Sequence, residues 1–222
     1  MAKKNILYRS KLKNAKKLLS ENKLEEADKI LSSLCLQSPK DIDVWSCLGY
    51  IAGNKHEYAR AIDCFEQALR IEPENTKIMF NYGIALRDSG QFDSAIEVFV
   101  KLQKKSPHNT EILDCLAHAY MGSGYLDDAE NIFNESLRIN PNQPETHSNL
   151  GSVYQTKGEL SKAEDCYREA LRLNPGLNIY DNLGSVLISQ GRYKESIEIF
   201  RSGLIKEPRN ARVYSNLLLT LN

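Results

Sequence analysis

Residues 144–176 read PETHSNLGSVYQTKGELSKAEDCYREALRLNPG, and two apolar stripes run through them. Leu150, Val153 and Tyr154 stand three and four residues apart, as on one face of a helix. Beyond Gly158 the spacing returns with Leu160, Ala163, Tyr167 and Ala170. Gly158 sits between the stripes, where a residue without a side chain can take the left-handed conformation that ends a helix. Pro175 closes the second stripe, because proline lacks a backbone N–H and its ring clashes with the preceding turn. The stretch predicts a helical hairpin.

Outward from that hairpin the pattern recurs. Pro39, Pro73, Pro107, Pro141 and Pro175 each follow the last by 34 residues, and Pro208 follows after 33. Between them stand Leu48-Gly49, Tyr82-Gly83, Leu116-Ala117, Leu150-Gly151 and Leu183-Gly184. Next come Gly90, Gly124, Gly158 and Gly191, then Ala61, Ala95, Ala129, Ala163 and Ser196, then Phe65, Phe99, Phe133, Tyr167 and Phe200. This predicts one all-α array over residues 1–222 with repeats 8–41, 42–75, 76–109, 110–143, 144–176 and 177–210, and a partial repeat or capping helix at 211–222. The turn at Pro175-Gly176 absorbs the missing residue. Small residues on both helices let the backbones approach, and Phe65 and its equivalents are expected to fill the wedge towards the next hairpin.

With Trp45, Leu48, Gly49, Tyr58, Ala61, Phe65, Ala68 and Pro73 in one 34-residue unit, residues 8–210 resemble the tetratricopeptide repeat (TPR) family. The resemblance implies a right-handed superhelical solenoid of antiparallel helix pairs whose first helices line a concave groove. Repeat 8–41 departs from the pattern at Lys11, Asn14 and Ala15, as suits a terminal unit with one unpartnered face. Lys55 and His56 replace the turn glycine of 42–75.

On that register the groove positions are the second, fifth, sixth, ninth, twelfth and thirteenth of each repeat. The sixth holds Asn81, Asn149, Asn182 and Asn216, interrupted by Cys47 and Cys115. An amide offers a donor and an acceptor, so a row of them can bond the backbone of an extended peptide. Asp114, His118, Ser148, Ser152, Asp181 and Ser185 would set local preference. The asparagine row is similar to the superhelix of O-linked N-acetylglucosamine transferases and their bacterial relatives, and residues 215–222 to the segment joining it to the catalytic half. A substrate-recruiting region of such a glycosyltransferase is therefore the alternative reading, with a sulfotransferase-like continuation as another. Lys77 and Asn81 also match part of the chaperone carboxylate clamp, but Leu12 and Lys16 stand at the fifth and ninth positions of the opening repeat. Glu111, Asp114, Glu145 and Asp181 favour a neutral or basic ligand over an acidic one.

The 29 basic and 29 acidic residues give zero formal net charge, hence no general push towards nucleic acid or an anionic membrane. Lys3, Lys4, Arg9, Lys11, Lys13, Lys16 and Lys17 make the first helix basic and amphipathic, read as a solvated helix rather than a surface-active one. With no secretory leader and no apolar run of eighteen residues, the expected location is cytoplasmic. Cys35, Cys47, Cys64, Cys115 and Cys166 lack metal-site spacing and read as free thiols. No pair among His56, His108, His118 and His147 is spaced for a metal, although His118 stands one helical turn from Asp114. Gly122-Ser123-Gly124 belongs to a turn, not to a phosphate loop. The sequence thus predicts no catalytic site, cofactor or metal. It predicts a scaffold for a protein or extended peptide, with self-association through the open array ends as a third reading.

Overall fold

The computed structural model describes residues 2–206, 208–209 and 211–221. The expected boundaries at Asn210 and Asn222 lie outside the described residues. Two compact units, Met1–Lys105 and Ser106–Asn222, divide the chain. The first holds α1 (Ala2–Ser20), α2 (Leu24–Gln37), α3 (Ile42–Asn54), α4 (Tyr58–Ile71), α5 (Thr76–Asp88) and α6 (Phe92–Lys105). The second holds α7 (Thr110–Gly122), α8 (Leu126–Ile139), α9 (Pro144–Thr156), α10 (Leu160–Leu173), α11 (Leu177–Ser189), α12 (Tyr193–Lys206) and α13 (Ala211–Leu221). Consecutive helices pair as hairpins, and within each unit the second helix of one hairpin packs on the first helix of the next.

The punctuation works through backbone geometry. Each of α2, α4, α6, α8, α10 and α12 stops two residues before its proline. Gly90, Gly124, Gly158 and Gly191 turn the hairpins with φ of 82°, 80°, 79° and 76°. Where the glycine is replaced, the conformation persists: Asn22 has φ 58° and His56 φ 59°. The departure at 42–75 therefore leaves the turn intact and places a side chain in a region that favours glycine. Asp41, Asn75 and Asn109 cap α3, α5 and α7 by accepting backbone N–H bonds, as at Asp41 Oδ1 from Asp43 N, 3.0 Å.

Four of the hairpins are held at close quarters by a ring on bare backbone. A Cβ added to Gly49, Gly83 or Gly151 would stand 2.7, 2.8 or 2.8 Å from the ring of Phe65, Phe99 or Tyr167, and Gly184 faces Phe200 in the same way. The aromatic thus seats first on its own hairpin's glycine. It also reaches the next hairpin as expected, Phe65 joining Ile78 and Ala85, and Phe200 joining Val213 and Leu217. Ser196, at the alanine position, is buried and donates to the Gly184 carbonyl at 3.0 Å. The basic α1 packs Ala15 and Leu18 into a core with Leu31, Leu34 and Leu48, while Lys16 pairs with Asp43 at 2.8 Å.

Ion pairs join successive hairpins at one recurring place. Asp28 accepts from Arg60 through both oxygens, at 2.7 and 2.9 Å, and lies 3.4 Å from Lys55. Glu130 meets Lys157, and Glu164 meets Arg192. The Arg60 hydrogen bonds hold the Asp28 carboxyl down at about 2.

Three outcomes follow from this packing. Phe133 is fully buried, so Phe133→Ala should cost about 3–5 kcal/mol in a chemical denaturation series. His56→Gly exchanges left-handed strain of about 1–2 kcal/mol for about 0.5–1 kcal/mol of added chain entropy, and should raise the melting temperature slightly. Asp28, held below its unfolded value of about 3.9, contributes stability above that pH and loses it as pH falls towards 2. Asp28→Asn should therefore be less stable by about 1–2 kcal/mol at pH 7, with the deficit shrinking between pH 5 and pH 3 in parallel melts.

Candidate ligand-binding clefts

In the second unit the first helices α9, α11 and α13 border one open cleft of about 470 Å3. Helix α9 contributes Glu145, Ser148, Asn149 and Ser152, α11 contributes Ile179 and Asn182, and α13 contributes Arg212. Four of the expected groove residues, Ser148, Asn149, Ser152 and Asn182, are therefore brought together. Asn149 and Asn182 stand at the sixth position of the 34-residue pattern, where the helical period turns them to the same side. Both are half-buried, and among the described residues no side-chain hydrogen bond engages either amide. Ser152 is anchored from below: its Oγ lies 3.0 Å from Tyr167 Oη, which donates to Gln155 Oε1 at 3.0 Å. Burial pushes the Tyr167 hydroxyl above its ordinary range, so it stays protonated.

The other expected residues have different surroundings. Asp181 is buried, pairs with Arg212 and accepts from the Asn216 amide. The fourth asparagine is therefore engaged inside the protein, although it also borders a cleft with Ile188 and Tyr193. Asp114 Oδ2 accepts from Thr146 Oγ1 at 2.8 Å, while its Oδ1 is buried with no hydrogen-bond partner among the described residues. Burial raises the Asp114 carboxyl above the usual carboxylate range. The Asp114–His118 pair expected from helical spacing is not a carboxylate–imidazole bond: His118 Nδ1 donates to the Asp114 main-chain carbonyl at 2.7 Å. The His118 ring stands edge-on to Phe133, 5.5 Å between centroids. Ser185 is half-buried on α11, outside the lining of the cleft.

In the first unit Asn81 borders a smaller pocket, of about 250 Å3, with Tyr50, Tyr58 and Phe65. Its amide has no side-chain hydrogen bond among the described residues.

The thiols offer no activated nucleophile at Cys35, Cys47, Cys64 or Cys166. Burial pushes all four up, Cys64 and Cys166 to about 11. Among the described residues no group of three or more His, Cys, Asp or Glu could hold a metal ion, and no helix is long and apolar enough to cross a membrane. What the clefts offer chemically is hydrogen bonding by neutral amides and hydroxyls on a rigid frame.

Comparison with known proteins agrees with this geometry. The family model for the cytochrome c-type biogenesis protein H TPR domain matches residues 3–147, and tetratricopeptide repeat models match 144–177 and 177–205. No curated protein sequence matches the chain. Among solved structures, PilW, a widely conserved type IV pilus biogenesis factor, is 18% identical with a TM-score of 0.83, over 95% of this chain and 98% of that one. MamA from Desulfovibrio magneticus RS-1 is 21% identical with a TM-score of 0.71, over 76% and 94%. A thermophilic TPR protein of Thermus thermophilus is 24% identical with a TM-score of 0.65, over 82% and 99%. These likenesses show the fold class expected from the sequence, an all-α, TPR-like superhelical solenoid of paired antiparallel helices. The chain belongs to the tetratricopeptide repeat family, through the model of the cytochrome c-type biogenesis protein H TPR domain.

Proposed function

We propose that the chain is a noncatalytic scaffold that holds an extended peptide or protein segment, and that Asn149 and Asn182 bond the backbone of that segment. The observation carrying this reading is the pair of unengaged amides on one cleft of the second unit, flanked by Ser148 and Ser152. A half-buried amide without a partner is poorly compensated for its lost hydration, and an extended backbone supplies a donor and an acceptor at every residue. Because α9 and α11 are fixed by Tyr167 on Gly151 and Phe200 on Gly184, the two amides are preorganised, which lowers the entropy lost on binding.

The resemblance of the asparagine row to O-linked N-acetylglucosamine transferases gives a second reading, in which the same cleft recruits substrate for a glycosyltransferase. It assigns the same two amides the same contacts. Both readings are tested by one binding series. Peptides selected from a random displayed library on the full chain are titrated against wild type and the Asn149→Ala/Asn182→Ala double variant. Losing two to four backbone bonds at about 0.5–1.5 kcal/mol each should weaken binding about fivefold or more, with the melting temperature nearly unchanged. Undiminished affinity rejects the amide contacts, and a library yielding no peptide rejects the scaffold reading.

A further inference from the structure

The pocket beside Asn81 lies where α3, α4 and α5 meet, and a missing side chain opens it. Gly53, on α3, is the twelfth residue of its repeat, where the other repeats carry Leu19, Arg87, Met121, Gln155 and Ile188. A Cβ added to Gly53 would meet nothing within 4 Å. This glycine is therefore unlike Gly49, one turn earlier, whose added Cβ would strike Phe65. One glycine admits the ring that closes the hairpin, and the other leaves space over it.

The walls are aromatic. Phe65 lines the pocket from α4, Tyr58 stands at the start of that helix, and Tyr50 is half exposed on α3. Tyr58 is steadied by His56, whose Nδ1 lies 2.8 Å from Tyr58 Oη and whose ring is edge-on to it. The volume of about 250 Å3 is below the ~300–1,000 Å3 typical of small-molecule sites, so the pocket suits one side chain rather than a cofactor. Asp88 is the charged residue among its lining residues. Its Oδ1 accepts from Nε of the neighbouring Arg87 at 2.8 Å and lies 2.7 Å from the Arg87 Nη2. Asp88 is exposed, so its carboxylate is open to an incoming cation as well.

We infer that this pocket is a specificity socket for one aromatic or large aliphatic side chain of an extended peptide, with a lysine or arginine of the same segment next to it meeting Asp88. The side chain packs on Phe65, Tyr50 and Tyr58, which prefer such partners, and Asn81 at the rim is placed to bond the backbone beside it. The inference rests on the peptide-holding reading above, but concerns residues of the first unit alone and can fail separately.

The probe is N-acetyl-phenylalanyl-lysine amide, titrated into the full labelled chain and followed by amide chemical shifts. It should move the Gly53, Tyr58 and Asn81 signals. N-acetyl-alanyl-lysine amide should bind at least fivefold more weakly, and N-acetyl-phenylalanyl-glutamate amide more weakly than the lysine probe. Gly53→Leu fills the socket from an unobstructed helical position, so it should melt at or above the wild-type temperature while losing the probe at least tenfold. Asp88→Asn should keep the phenylalanine preference and lose that for lysine over glutamate. Equal binding of the phenylalanyl and alanyl probes, or of the first probe to wild type and Gly53→Leu, overturns the socket. The library separates the two proposals. Selected peptides that ignore Gly53→Leu overturn the socket and leave the scaffold, whereas socket shifts with the dipeptide and no selected peptide overturn the scaffold and leave the socket.

Discussion

One steric condition underlies the hairpins: one place on the first helix carries glycine or alanine, so that a large side chain from the second helix can lie close to its backbone. Gly49, Gly83, Gly151 and Gly184 meet the condition. At these four places the ring lies where a Cβ would stand, so the bare backbone sets the distance between the paired helices. Ala15 and Ala117 are the departures from glycine: Leu31 takes the place of the ring in the hairpin of Ala15, and Phe133 in the hairpin of Ala117 is still fully buried, with His118 against its edge. In α13 the same place is Leu218, and there the helix packs by Val213 and Leu217 against Phe200, leaving Tyr214, Leu218 and Leu219 exposed.

Once the apolar residues are committed to the hairpins, charged pairs strengthen the joints between them. The carboxylates of Asp28, Glu130 and Glu164 are mostly buried, with side-chain exposures of 14%, 20% and 13%. Buried charge is costly unless paired, so a cation from the following hairpin must arrive in one geometry. This ties the register of neighbouring hairpins to a few residues. It also leaves the clefts lined largely by neutral groups, which suit the solvated backbone of a peptide better than strong fixed charges would.

The repeat architecture was legible in the sequence because its causes are periodic: prolines that stop helices, glycines that turn them and rings that need a gap. His56 could be flagged as a departure, but its left-handed conformation could not be assigned, since backbone strain is resolved by the surrounding packing. The joint ion pairs went unread although their signal was present. Asp28 precedes Lys55 by 27 residues, Glu130 precedes Lys157 by 27, and Glu164 precedes Arg192 by 28. The helical register placed Asn149, Asn182, Ser148 and Ser152 on a common cleft. It gave no indication that Asp181 would be buried or that Asn216 would be engaged. Gly53 was passed over because it interrupts no pattern; its effect is a space.

The different fates of the asparagines have a local cause, found at the fifth position of the preceding hairpin and the third position of their own. Before Asn182 the fifth position is Ser148, which carries no charge to capture an amide, and Asn182 is left facing the cleft. Before Asn216 it is Asp181, a buried carboxylate that must find donors. The third position of that helix is Val213, whose side chain offers none, so Asp181 takes the Asn216 amide and Arg212. Before Asn149 the fifth position is again an aspartate, Asp114, yet there the third position is Thr146, whose hydroxyl satisfies one carboxylate oxygen at 2.8 Å. There Asn149 faces the cleft, although among the described residues the other Asp114 oxygen is buried without a partner. In this chain, then, the asparagine preceded by threonine three residues earlier faces the cleft, and the one preceded by valine is engaged within the protein.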